Sequence, residues 1–238
     1  MCTVAVSIDP SAEIPMIVIG VRDEFTHRPW APPAEHWPGL VGGRDLEAGG
    51  TWLAVDPAAR RIGALLNGHG VLADPQARRS RGDLPLLAAS GGEPVAGGVA
   101  GYDPFHLLRA DAGGARLWHW DGITLEYDDL PPGTHMIVNS GWERGEENDR
   151  VAFFRPLFAG ARRPSGIGGP WTEWYGLATG AGVPAGDPRA MIVHHELPDG
   201  RAYGSLSVTL VALTSTEVRY DFTADPRDPA AFRTVIPE

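Results

Sequence analysis

The sequence predicts a strand-rich fold with few, short helices, and three observations predict it. Gly (31) and Pro (22) are frequent and scattered, so long uninterrupted segments are rare. Short apolar runs bounded by turn residues dominate the chain. Helix-like stretches are confined to residues 83–90 and 151–157.

Taken in order, Thr3-Val4-Ala5-Val6-Ser7-Ile8 alternates as a strand does, Asp9-Pro10-Ser11 turns, and residues 15–21 form a nearly continuous apolar run. This predicts an N-terminal hairpin whose second strand is buried on both faces and is ended by Arg22-Asp23-Glu24. Residues 26–43, rich in Pro and Trp, are expected to be an ordered loop, followed by strands at 50–55 and 61–66 around an Asp56-Pro57 turn. The helix at 83–90 has Asp83 as its expected cap, with Leu84, Leu86 and Leu87 facing inward. Strands are expected at 106–109, 115–120, 134–138, 191–194, 204–214 and 217–222, and Asp121-Gly122 signals a hairpin into Ile123-Thr124-Leu125. Residues 159–188 lack periodicity and read as a long loop, a candidate substrate lid. No internal repeat or domain boundary is visible, so residues 1–238 are read as one domain.

Composition excludes several function classes. The net charge is −10, whereas nucleic-acid grooves and anionic membrane surfaces call for a basic partner. The chain contains no Lys, so Schiff-base and phosphate-loop lysine chemistry are excluded. One cysteine, Cys2, rules out an internal disulfide and multi-cysteine metal sites. The apolar run at 14–20 is too short to span a bilayer and follows acidic residues, unlike a signal peptide. A cytoplasmic protein without stable membrane insertion is expected. His194-His195-Glu196 invites a metal reading, but adjacent strand residues point to opposite faces, so no metal site is expected.

Cys2 carries the most specific chemistry. If Met1 is removed, the residue presents a thiol and a free α-amine together. That amine has a pKa of about 8, so it can take the proton from the nucleophile and return it to a leaving group without a separate histidine. A thiol also ionises near neutrality, which suggests that it needs little further activation.

Met1-Cys2, then Val21-Arg22-Asp23-Glu24-Phe25 and Arg28-Pro29, resembles the opening of the NRDE family, that of transport and Golgi organisation 2. The block from Gly42-Gly43-Arg44-Asp45 to Gly50-Thr51-Trp52-Leu53-Ala54-Val55 is similar to the family's second block. Ala64-Leu65-Leu66-Asn67, Arg81-Gly82-Asp83-Leu84, Tyr102-Asp103-Pro104-Phe105-His106-Leu107-Leu108 and Val138-Asn139-Ser140 follow in matching order, over roughly the first 145 residues.

The resemblance implies an α+β fold of the N-terminal-nucleophile hydrolase kind: an αββα sandwich of two mainly antiparallel sheets flanked by helices. It also implies site roles. Cys2 would attack an amide carbonyl, Asp23 would orient the new α-amine, and Arg22 would stabilise the thiolate or the developing charge. Asn67 would sit near the oxyanion, and Asn139 would help shape that region, side-chain amides being sound oxyanion donors. The implied partner is a small-molecule linear amide, with no cofactor required. The alternative carried by the same resemblance is haem handling, with haem as cofactor or cargo and a His or Cys2 as axial ligand; covalent c-type attachment is excluded because Cys-X-X-Cys-His is absent. The chain departs from the pattern in two places. Val21 stands where the family tetrapeptide has Asn, and Tyr203-Gly204-Ser205-Leu206-Ser207-Val208 lacks the arginine expected on a late strand, for which Arg201 and Arg219 are the candidate substitutes. These departures keep a third reading open, a degenerate scaffold.

Overall fold

A computed structural model describes residues 2–143 and 148–236. In chain order the strands before the first helix are β1 (Thr3–Ile8), β2 (Met16–Phe25), β3 (Trp30–Trp37), β4 (Leu40–Asp45), β5 (Leu53–Asp56) and β6 (Arg61–Asn67). Helix α1 (Leu84–Ala89) precedes β7 (Phe105–Asp111), β8 (Gly114–Trp120), β9 (Leu125–Leu130), β10 (Gly133–Val138) and β11 (Gly141–Glu143). Helices α2 (Asp149–Gly160) and α3 (Thr172–Ala178) lead to β12 (His194–Glu196), β13 (Ala202–Leu213), β14 (Val218–Thr223) and β15 (Arg233–Ile236). The fold is α+β, with two antiparallel sheets and few helices, as expected.

The chain forms two compact units. The first comprises Met1–Arg28, Pro132–Val138 and Trp142–Glu238; the second comprises Pro29–Pro131 and Asn139–Gly141.

In the first unit the sheet order is β11-β10-β1-β2-β13-β14-β15, with β12 added on β13. The expected N-terminal hairpin is present, in a register that sets Thr3 opposite Val21 and Ile8 opposite Met16. Ile17, Val18 and Ile19 are all buried, so β2 presents both faces to the core. One face packs Ala5, Ile17, Ile19, Val21, Val208 and Leu210 against Val151, Phe154 and Phe158 of α2 and Trp174 of α3. Asn148 starts α2 by accepting from the Arg150 and Val151 amides.

Three expectations fail here. Arg22-Asp23-Glu24 does not end β2; the strand continues to Phe25 because β13 pairs with it through Tyr203, Gly204 and Ser205. The backbone ladder satisfies these residues whatever their side chains carry. Residues 159–188 are not a featureless lid either. They contain α3, and Trp171 and Trp174 are 2% exposed, so the segment is part of the core. Of the late strands, 191–194 shrinks to a β12 that starts only at His194, and β15 was not foreseen.

The second unit is a meander, β3-β4-β5-β6-β7-β8-β9, in which space follows sequence. The stretch read as a loop at 26–43 supplies β3 and part of β4. Proline is tolerated because β3 is the edge strand, with register shifts on either side of Ala34. The β8–β9 hairpin forms at Asp121, whose carboxylate accepts from the Ile123 and Thr124 amides; Ile123 and Thr124 belong to the turn, not the strand. Helix α1 buries Leu84, Pro85, Ala88 and Ala89, while Leu86 is half-buried and Leu87 is 39% exposed. The inward face therefore differs from the three-leucine expectation. Ala88 and Ala89 sit against the sheet because β6 carries Gly63, where a Cβ would collide with the Pro85 carbonyl. Asp83 does occupy the cap position, but its side chain does not cap: its carboxylate accepts from Tyr102 and Arg79 instead.

Candidate active site around Cys2 and Asp23

In the first unit, β1, β2, β13 and α2 converge on one cluster. Cys2 lies just before β1 and is half-buried. Its thiol donates to the Asp23 carbonyl at 3.4 Å, and its sulfur accepts from the Asp23 amide at 3.4 Å. The Asp23 residue is 3% exposed and Arg22 5%. Alternation along β2 sends these two neighbours to opposite faces of the sheet.

The Asp23 carboxylate is held from two further elements. Ser205 of β13 donates to its Oδ1 at 2.6 Å. A guanidinium nitrogen of Arg150, in the first turn of α2, lies 3.9 Å from its Oδ2 and donates to Thr3 Oγ1 at 2.7 Å. Tyr203 donates to the Asp23 carbonyl at 3.2 Å. The pairing of β2 with β13 shifts register between Ser205 and Ser207, which stand opposite Asp23 and Arg22 respectively. In a regular strand those two serines would share a face; the bulge lets Ser205 meet Asp23 on one side and sends Ser207 to the side of Arg22. Ser207 Oγ is buried and has no hydrogen-bond partner among the described residues.

Burial dominates the electrostatics. It pushes the Asp23 carboxyl up, against the pull of the Ser205 hydrogen bond and the Arg150 charge. It pulls the Arg150 guanidinium down, against Asp23. The Cys2 thiol is raised by burial and then by the Asp23 charge, with Arg22 a small opposing influence. This corrects the expectation that the thiol needs little help. The direction of the shift favours the protonated thiol.

The sequence-predicted residues thus divide. Cys2, Arg22 and Asp23 are brought together in the first unit. Asn67 and Asn139 belong to the second unit. There Asn67 is exposed at the end of β6, opposite Phe105. The Asn139 carbonyl accepts from His106 Nε2 at 3.0 Å, and its side-chain Oδ1 is buried with no hydrogen-bond partner among the described residues. Met1 lies outside the described residues.

Neither arginine offered for the missing late-strand position joins the cluster. Arg219 donates to the buried Asp221 at 2.6 Å, and Arg201 pairs with Asp199 at the surface. Arg150 supplies the cation, from a helix rather than a strand. Sequence reasoning missed it by looking for it on the wrong kind of element, and missed Ser205 because the bulge that aims it has no sequence signature. Among the described residues no group of three or more His, Cys, Asp and Glu is placed to hold a metal ion. His194, His195 and Glu196 are all exposed on β12.

A cavity of about 250 Å³ lies against this region, lined by Ile192, Val193, His194, Ser205, Asp225, Pro226 and Arg227. Ser205 is common to its wall and to the Asp23 cluster.

Residues 1–160 match the family model for Transport and Golgi organisation 2. The chain belongs to that family. The family match covers Cys2, Arg22, Asp23, Asn67, Asn139 and Arg150; Ser205 and Tyr203 lie beyond it. No curated protein matches the chain. Among the described residues, no helix is long and apolar enough to cross a membrane.

Proposed function

We propose that this member of the Transport and Golgi organisation 2 family is a cysteine N-terminal-nucleophile amidohydrolase that acts on a small linear amide through a thioester at Cys2. The observation that carries the reading is the buried Asp23 carboxylate beside Cys2, held by Ser205 and Arg150. A carboxylate removed from water this completely is costly unless something positive uses it. Arg150 supplies part of that charge. The α-amine of Cys2, released by loss of Met1, would be oriented by the same carboxylate.

The steps balance on this chain's own groups. The neutral α-amine of Cys2 takes the thiol proton, and sulfur attacks the amide carbon to form a C–S bond. Collapse breaks the C–N bond, and the α-ammonium returns the proton to the departing amine. Water, deprotonated by the same amine, then attacks the thioester carbon. The C–S bond breaks, the thiolate recovers a proton, and a carboxylic acid leaves. The raised thiol supports an amine-driven route, because a protonated nucleophile gains most from an adjacent base. Arg22 is assigned to the charge that develops at sulfur or oxygen. Asn67 and Asn139 are assigned by family resemblance to the oxyanion region.

The test is the intact mass of the protein before and after a thiol-directed electrophile, with Cys2→Ala as control, followed by a screen of small amides. Loss of Met1, single-site labelling abolished in Cys2→Ala, and turnover that also vanishes in that variant are expected. A retained Met1, or a thiol no more reactive than free cysteine, would overturn the reading and direct attention to haem titration.

A further inference from the structure

In the second unit, His106 of β7 and His119 of β8 stand directly opposite one another in register. Their Nδ1 atoms are 2.8 Å apart. His106 Nε2 lies 3.0 Å from the carbonyl oxygen of Asn139, and His119 Nε2 lies 3.4 Å from a carboxylate oxygen of Asp128 on β9. Four groups therefore form one line: Asp128, His119, His106 and the Asn139 carbonyl.

Each contact constrains the next. A carbonyl can only accept, so His106 Nε2 must carry a proton. His106 is 8% exposed, and burial, reinforced by the neighbouring His119 and His69, brings its pKa to about 4, so the ring is neutral near pH 7. A neutral ring protonated at Nε2 has a bare Nδ1, which must accept from His119 Nδ1–H. The second nitrogen of His119 faces an acceptor, Asp128, with Glu126 also nearby on β9. Burial nevertheless holds the His119 imidazole below its ordinary value, against the pull of Asp128 and Glu126, so the neutral ring carries its proton on Nδ1, where His106 accepts it. Gly141 passes beside the ring at φ +121°, a backbone conformation that favours glycine.

We propose that His106, its tautomer locked by His119, is a positioning residue that fixes the Asn139 turn and so aims the Asn139 side chain. Two independent features of Asn139 point the same way. Its backbone carbonyl is pinned by His106, while its buried Oδ1 finds no partner among the described residues. Buried polar atoms are nearly always satisfied, so one left open beside a pinned backbone is held for a ligand or an ordered water. The use made of that aim rests on the amidohydrolase reading; the lock itself does not.

The decisive experiment is ¹⁵N NMR of the histidine rings in the unliganded protein. We expect His106 as the Nε2–H tautomer, with a nitrogen–nitrogen coupling across the hydrogen bond to His119. The Asn139 carbonyl carbon shift should move in His106→Leu and stay near wild type in His106→Gln, whose amide nitrogen can replace the Nε2 donor. It should also follow the titration of His119. An Nδ1–H tautomer in wild type, or an Asn139 carbonyl that ignores both variants and His119, would overturn the proposal. Wild-type tautomer data require no variant to fold and no substrate, so they stand apart from failure of the hydrolase reading.

Discussion

The Asp23 cluster and the His106–His119 pair place polar groups in the interior by opposite means. Asp23 keeps formal charge in view: a carboxylate with 0% of its side chain exposed, answered by a guanidinium 3.9 Å away and a hydroxyl at 2.6 Å. His106 discards charge and satisfies both ring nitrogens as donor and acceptor. The first draws on β1, β2, β13 and α2, separated by well over a hundred residues, whereas the second uses strands adjacent in a meander, with Asn139 as its one distant member. A buried charge must recruit partners from wherever the chain can supply them. A neutral tautomer can be completed locally.

That contrast can be broken at four points. The largest effect should come from Arg150→Leu, which removes the guanidinium 3.9 Å from the buried Asp23 carboxylate; we expect a loss of about 3–5 kcal/mol by urea unfolding, much of it recovered in Asp23→Asn/Arg150→Leu. An Arg150→Leu variant as stable as wild type would mean that Asp23 does not depend on this cation. His106 should come next, through pH. Its folded pKa, about 4, lies below the ordinary 6.5, so its contribution is complete above 6.5 and is lost as pH falls toward 4. This amounts to roughly 3 kcal/mol. Over that window wild type should lose stability more steeply than His106→Gln, and parallel curves would refute the assignment.

Ser205→Ala should cost about 1.5–3 kcal/mol, because it removes a short hydrogen bond to a buried carboxylate. It should also raise the Asp23 pKa further, readable from the carboxyl carbon shift, since that bond is one of the influences holding it down. Asp128→Asn should be the mildest, at about 0.2–1 kcal/mol, because the Asp128 side chain is 45% exposed. A larger loss there would show that the relay depends on its surface end more than the geometry suggests.

Much of the strand layout was legible. The alternation at Thr3–Ile8 and the apolar run after it give the first hairpin, and Asp121 gives the β8–β9 turn. The misreadings share a cause. Pro32 and Pro33 speak against a strand only if the strand is central, and Arg22-Asp23-Glu24 ends one only if nothing pairs with it; β3 lies at an edge, and β13 pairs with β2. Whether a strand is an edge or has a late partner is a property of the sheet. Trp171 and Trp174 were similarly hidden among glycines and prolines, although they anchor the core through indole bonds to Ile167 and Arg162 carbonyls.

By itself the sequence determined much of the local order: the first hairpin, which residues turn the chain, and that one cysteine exists, directly before the first strand. Family resemblance pointed to Cys2 and Asp23. Only the tertiary structure decided what surrounds them. Arg150 reaches Asp23 because α2 packs on the β1–β2 face, Ser205 because a bulge turns β13, and His106 meets His119 because the meander sets them in register. Such contacts depend on pairing and packing between distant segments, and a linear pattern of residue types carries no term for either.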